Sequence, residues 1–357
     1  MRMKRFQTSL GVCTLSVGEG AIENRLPVLT AGRTLFIITD KTVFSAHRAF
    51  FARYFPDCTP FLLPAGEKGK SEKQLFKILK RMSALGLKRD CRVFAVGGGA
   101  VGDVGAMAAA LYMRGVSLVQ IPTTLLSQVD GSIGGKTAIN LGAIKNAAGC
   151  FYPAFEVVAD PMFLRTLPRR EIKCGLGEIV KYAALDPALF TRLDDMETAA
   201  LSSITFLSEL VADCAFLKAE IVEEDERDEG LRRCLNLGHT TAHALELFYS
   251  LSHGESVLFG LLAETRLAAD RGVCERGFAD KLTALILTSI AVSPVNIPDF
   301  KRIHSALQLA KADKKNVSDG MVRLSVPVAA GEWTLFALSF EDYASETEAI
   351  LREIFSK

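Results

Sequence analysis

Residues 92–103, RVFAVGGGAVGD, restrict the fold more than any other stretch of this chain. A short, compact apolar run leads straight into three consecutive glycines, and helical spacing resumes behind them. An apolar run bounded by turn residues is how a strand covered on both faces reads, and such strands belong to parallel sheets. Glycines let the chain turn tightly and let peptide N–H groups approach an anion at the next helix N-terminus. The run is neither a G-x-G-x-x-G fingerprint nor a Walker loop, so two readings stand: a phosphate cradle or a structural turn.

The same grammar recurs on either side. Residues 34–39 (TLFIIT), 117–121 (SLVQI) and 156–159 (EVVA) read as further buried strands. Between them Leu75, Ile78, Leu79, Met82 and Leu85 recur at helical spacing, with Ser71 and Gln74 as an expected capping box and Gly86 as the expected stop. Beyond about residue 160 the character changes. Leu207, Leu210, Val211, Cys214, Leu217 and Ile221 trace one helical face, and Val257 to Leu267 trace another. Strand signals return only at 322–328 and 333–338, as a hairpin. A chain of 357 residues exceeds one ordinary core. The expectation is a Rossmann-like α/β domain over 1–160 and a mainly α-helical domain over 161–357, meeting near Pro161.

Composition closes off several function classes. Hydrophobic residues at 49% with 23% charged residues describe a well-buried globular chain. Lys plus Arg is 42 against 41 for Asp plus Glu, a balance that argues against nucleic acid or an acidic membrane as partner. Eight cysteines without a C-x-x-C pair read as reduced thiols, and no apolar run reaches the ~20 residues of a bilayer helix. The basic start, Met1 to Arg5, precedes an apolar stretch too short and interrupted for a secretion signal. A cytoplasmic location is the expectation.

Three of the five histidines, His239, His243 and His253, fall in one short window. A His-x-x-x-His pair on a helix points both rings the same way, and imidazole suits borderline metals. A catalytic metal site needs a third ligand, and Glu178, an acid read as lying at an otherwise apolar helix start, is the candidate. Residues 122–140, PTTLLSQVDGSIGGKTAIN, mix small polar residues, glycines, one acid and one lysine in a loop too long to be merely structural. Lys136, Lys145 and Asn146 read either as phosphate holders or as solvated surface groups. Asp40, ending a strand, reads either as a ribose acceptor or as a helix cap. The acidic run 223–229 lacks the ligand order of a calcium loop and reads as a solvated turn.

Taken in order, the motifs resemble those of the 3-dehydroquinate synthases, within the sugar-phosphate cyclase family. The resemblance runs from Asp40 to about Asn316. It is carried by Gly66-Glu67 with Lys70-Ser71, GGGAVGD, Tyr112-Met113-Arg114-Gly115, PTTLLSQVDGSIGGK, Lys145-Asn146, Thr166-Leu167-Pro168, GLGEIVKY, RRCLNLGHTTAH, SHGES and Asp313-Lys314-Lys315. The family has an N-terminal NAD-binding domain and a C-terminal helical domain, with the active site between them. The resemblance implies a zinc or cobalt site of Glu178, His239 and His253. Asp130, Lys136, Lys181, Lys218, Arg232, Asn236 and His243 would line the substrate pocket. Lys136, Asn146, Asn236, His243 and one of Lys314 or Lys315 would hold a phosphate, helped by Arg114 from a neighbouring subunit of a homodimer. NAD would meet Asp40, Glu67, Lys70, Gly98, Gly99 and Asp103, then Thr123, Thr124, Lys136, Lys145, Thr166 and Leu167.

The implied reaction converts 3-deoxy-D-arabino-heptulosonate 7-phosphate to 3-dehydroquinate. It proceeds by transient oxidation at C5, β-elimination of phosphate, re-reduction, ring opening and aldol closure. Departures from the family pattern are Gly177, where alanine is common, Pro153 after Phe151-Tyr152, and a shortened stretch between His243 and His253. Two enzyme alternatives remain at this level: another sugar-phosphate cyclase, and a metal-dependent NAD alcohol dehydrogenase. A dead binding protein is a third, disfavoured by the full ligand set.

Overall fold

The computed structural model describes residues 1–142, 144–194, 203–291, 298–312 and 317–355. One compact unit comprises Met1–Ile172 with Ser202–Arg227, and a second comprises Lys173–Leu201 with Asp228–Lys357. The expected α/β first half and helical second half are what the chain forms.

The first unit is built on a seven-stranded sheet. Its strands are β1 (Arg2–Thr8), β2 (Gly11–Val17), β3 (Leu35–Asp40), β4 (Phe61–Leu63), β5 (Arg92–Gly97), β6 (Ser117–Pro122) and, after the separate hairpin of β7 (Lys136–Leu141) and β8 (Ile144–Phe151), β9 (Glu156–Ala159). The spatial order is β1-β2-β9-β6-β5-β3-β4, with every pair parallel except β1 with β2. The four apolar runs of the sequence thus lie side by side as β9, β6, β5 and β3. Phe94, Val96, Val119, Ile121 and Val158 from these strands pack with Phe50, Phe51, Phe55 and Phe163 in one buried cluster. Continuous apolar runs are what a sheet covered on both faces requires.

The glycine run opens the helix Gly99–Leu111, capped by Gly98 in extended conformation. Two of its glycines seat the helix on the sheet. A Cβ on Gly102 would stand 2.7 Å from Gln120 Oε1, and one on Gly105 would stand 2.7 Å from the Ala95 Cβ. The helix Glu72–Ala84 forms as expected and ends at Gly86, which takes a left-handed φ of 64°. The expected Ser71–Gln74 capping box does not form: Ser71 sits at the cap without a side-chain hydrogen bond.

The helix Ile204–Glu224 belongs to the first unit, although its sequence resembles the helical half. The β1–β2 hairpin explains this. Arg2 pairs with Asp213 at 2.6 Å and Lys4 with Glu220 at 2.5 Å. The Gln7 amide donates to Glu223 at 2.7 Å, and the Ser9 amide donates to Glu226 at 2.7 Å. Part of the acidic run read as a solvated turn therefore anchors the first hairpin.

The second unit contains the helices His239–Tyr249, His253–Asp270, Arg276–Ala291 and Phe340–Phe355, together with most of Arg169–Leu185. The expected hairpin is present as β11 (Met321–Ala329) against β12 (Glu332–Ser339), with the short β10 (Val317–Ser318) on its edge. Among the described residues no helix is long and apolar enough to cross a membrane.

Replacing Gly105 with valine tests the seating of the glycine-rich helix. Valine regains only a few tenths of a kcal/mol of helix propensity, whereas overpacking costs ~1–3 kcal/mol. The variant is expected to unfold at lower urea concentration, with a net loss of ~1–2 kcal/mol; an unchanged midpoint would show that the helix can lift away freely.

Candidate metal centre and nucleotide edge

Three helices bring the second unit's ligand candidates together. Glu178 lies in the middle of Arg169–Leu185, not at a helix start, because that helix begins directly after Pro168. His239 begins His239–Tyr249, and His253 begins His253–Asp270. The last start is set by a reciprocal capping box, in which the Ser252 hydroxyl and amide both donate to Glu255, at 2.7 and 2.9 Å.

Each ligand is adjacent to a glycine at which two backbones touch. A Cβ on Gly177 would fall 2.3 Å from the Gly254 carbonyl oxygen, and one on Gly238 would fall 2.4 Å from the Leu261 nitrogen. Gly238 also has a left-handed φ of 75°. Helices normally stand ~8–10 Å apart with side chains between them; small residues at the crossing allow closer approach.

Glu178 is 1% exposed, and its Oε1 lies 2.9 Å from His253 Nε2 and 3.6 Å from His239 Nε2. One donor atom from each of the three residues falls within 4.8 Å of the others. The far ring nitrogens are also engaged: His239 Nδ1 lies 3.0 Å from the Leu237 carbonyl, and His253 Nδ1 lies 3.3 Å from Glu246 Oε2. Such outer contacts fix the tautomer and aim Nε2 inward, as ligating imidazoles are held. One carboxylate and two imidazoles fit a catalytic zinc or cobalt site, with a coordination position left for substrate.

The charges match that reading. Burial works against ionising Glu178, but Lys181 at 2.5 Å, His253 and His239 hold its carboxyl well below the usual range. Burial pushes His239 down to about 3, so its ring is neutral. Burial opposes charge on His253 as well, yet its hydrogen bonds to Glu178 and Glu246 prevail and push it up to about 10. His243 is exposed beside His239, ring centroids 5.5 Å apart, while Arg232 is buried and Asn236 ends the short turn Leu231–Asn236. Lys314 and Lys315 lie outside the described residues.

In the first unit the implied nucleotide contacts share one edge. Asp40 ends β3, Glu67 and Lys70 follow β4, Gly98 and Gly99 follow β5, Thr123 and Thr124 follow β6, and Thr166 and Leu167 follow β9. All five strands are mutually parallel, so these residues lie at their carboxyl ends, where open α/β sheets take ligands. Gly98 is tight, since a Cβ would meet Thr124 Cγ2 at 2.9 Å, and Gly99 leaves the helix start open. The residues present therefore fit a dinucleotide. Asp40 also caps the next helix, accepting from the Thr42 and Val43 amides at 2.7 and 2.9 Å.

Lys70 forms a buried ion pair with Asp103, whose carboxyl burial pushes up while Lys70 pulls down. Asn140 joins this corner to the β7–β8 hairpin: its amide nitrogen donates to Glu67 at 2.8 Å and its oxygen accepts from the Asn146 amide at 2.9 Å. Lys218 reaches both the carbonyl and the carboxylate of Asp130, at 2.8 and 2.9 Å. Lys136, Lys145 and Asn146 are exposed on the hairpin. Arg114, also exposed and at a φ of 62°, borders a cavity of about 370 Å³ with Arg89, Tyr152 and Phe155.

Sequence reasoning did not find Glu246, although it lies three residues after His243 on the same helix face. It also passed over Glu264, an acid within an otherwise apolar helix, and His47, whose Nε2 lies 2.9 Å from Thr166 Oγ1.

Comparison with known proteins agrees with the motifs. Residues 60–174 match the family model described as 3-dehydroquinate synthase N-terminal, and residues 175–316 match 3-dehydroquinate synthase C-terminal. A 3-dehydroquinate synthase of Shewanella loihica is 34% identical, covering 99% of this chain and 100% of its own. Two solved structures share the fold at 24% identity. A 2-deoxy-scyllo-inosose synthase complexed with carbaglucose-6-phosphate, NAD+ and Co2+ superposes with TM-score 0.85 over 99% of both chains. A 2-epi-5-epi-valiolone synthase from Streptomyces hygroscopicus with NAD+ and Zn2+ superposes with TM-score 0.82 over 96% of both.

With hydrogen bonds to Glu178 and Glu246 raising it to about 10, His253 would have to release a proton to bind zinc. At pH 7.5 calorimetry in two buffers of different ionisation enthalpy is expected to show release of about one proton per zinc. Affinity should rise by about tenfold per pH unit below the His253 range. Zinc binding with no proton release would mean that His253 is not a ligand.

Proposed function

The chain belongs to the 3-dehydroquinate synthase family, and we infer that it carries that activity as a carbon–oxygen lyase releasing phosphate from 3-deoxy-D-arabino-heptulosonate 7-phosphate. The observation that carries the reading is the convergence of Glu178, His239 and His253, with both imidazoles held in a ligand's orientation by outer contacts. When bound, NAD supplies a reversible hydride acceptor, and a divalent zinc or cobalt ion supplies a Lewis acid for the substrate's vicinal hydroxyls.

The protein's own residues divide the remaining work. Residues 1–160 would hold NAD along the carboxyl edge of the parallel sheet, with Gly98 and Gly99 admitting the pyrophosphate to the helix N-terminus. Residues 161–357 would hold the metal and much of the substrate. Lys181 keeps Glu178 ionised, so the ligand stays an anion without access to water. Asp130 and Lys218 offer an acceptor and a cation to the substrate's hydroxyls and carboxylate, with Arg232 as a further cation. Lys136, Asn146, Asn236, His243, one of Lys314 or Lys315, and the partner subunit's Arg114 in a homodimer would clamp the phosphate. A clamped phosphate is held in line to leave, and its own oxygen can take the neighbouring proton. A cytoplasmic setting, where aromatic precursors are made and thiols stay reduced, suits the eight free cysteines.

Supplied with the heptulosonate phosphate, catalytic NAD and zinc, the protein is expected to release phosphate with no net NADH. Stoichiometric NADH without phosphate would replace this reading with a dehydrogenase, and turnover of sedoheptulose 7-phosphate alone would replace it with another cyclase. His253→Ala should lose metal and activity while still binding NAD. Lys136→Ala should raise KM and lower kcat together, because the phosphate is both anchor and leaving group.

A further inference from the structure

Glu264 sits three turns along the helix that begins with His253, and it is fully buried. Its neighbours on that helix, Leu261, Leu262, Ala263 and Leu267, are all fully buried. A carboxylate shut in such surroundings costs several kcal/mol unless specific partners compensate, and an apolar side chain would serve the packing better. Burial pushes its acid up to about 8, even against the hydrogen bonds it receives. Its presence therefore calls for a role other than filling space.

Its partners point to that role. Glu264 Oε2 accepts from the Gly238 amide at 3.1 Å, and Oε1 accepts from the Thr241 amide at 2.8 Å. These are two of the N–H groups that a helix start leaves without partners, and they bracket His239 on either side. The His239 ring is itself held through Leu237, one residue before Gly238. The Thr241 hydroxyl extends the contact to the Tyr343 hydroxyl at 3.0 Å. Gly238 cannot gain a side chain without meeting Leu261.

We propose that Glu264 is a positioning residue for the metal centre, fixing the start of the His239 helix against the helix that carries His253. One rigid helix thereby presents one ligand directly and sets the position of another through the backbone. The inference rests on Glu178, His239 and His253 being the metal ligands. Its consequence is specific: loss of Glu264 loosens ligand geometry and weakens metal affinity beyond any loss of stability.

The test uses full-length protein stripped of metal, with zinc affinity read by chelator competition and geometry read from the visible spectrum of the cobalt-loaded form. Glu264→Gln keeps the shape and one oxygen; Glu264→Leu removes both acceptors. Zinc affinity is expected to fall about tenfold in the first and up to about a hundredfold in the second, with altered cobalt bands. Leu351→Ala, a buried truncation elsewhere in the same unit, serves as the stability control and should keep wild-type affinity. Affinity within twofold of wild type in a folded Glu264→Gln would overturn the proposal, as would an equal loss in Leu351→Ala. Should His253→Ala bind zinc as well as wild type does, the ligand assignment itself fails and this inference falls with it.

Discussion

A carboxylate buried to 1% exposure at the meeting of three helices is the constraint around which the second unit is arranged. Glu178 can remain charged there only if cations or donors replace the water it has lost. Lys181, one turn along the same helix, pairs with it at 2.5 Å, and His253 bridges it to Glu246. A divalent ion would take over the second task. Because the hydrogen bonds that raise His253 come from Glu178 and Glu246, protonation of that ring and metal binding would compete, which links metal affinity to pH.

Bringing three ligands so close requires helices that nearly touch, and the sequence permits this by placing glycine beside each ligand. The pairs Gly177-Glu178, Gly238-His239 and His253-Gly254 follow one rule: the residue next to the ligand gives up its Cβ so that the neighbouring backbone can approach. In the first unit Gly102 and Gly105 do the same between helix and sheet, bringing a helix N-terminus to the carboxyl edge of β5. At these positions both units use glycine for proximity.

Those features explain what was legible. The four central strands were visible because a sheet covered on both faces demands unbroken apolar runs. The candidate cluster was visible because two of its three members are histidines, a rare residue type here concentrated in one short window. The β1–β2 hairpin was not, since only Phe6 of β1 is buried and the rest of that strand is polar apart from the exposed Met3. The capping box was expected at Ser71, where the spacing suits but the hydroxyl makes no bond. The box that does form, at Ser252 and Glu255, was hidden inside the histidine motif. Glu264 could not be read from any spacing, because its partners are backbone amides on another helix and leave no mark on residue identity.

Gly177 shows how far such proximity governs the chemistry. A Cβ on this backbone would sit 2.3 Å from the Gly254 oxygen, where ordinary contact begins at 3.4 Å. Alanine there would therefore force the two backbones to separate. Glu178 and His253 flank that contact, so the shift would fall on the metal site, where ligand distances vary by only about 0.2 Å. Here the backbones supply the close approach, and the outer carboxylates Glu246 and Glu264 need only hold the rings and helix starts in place.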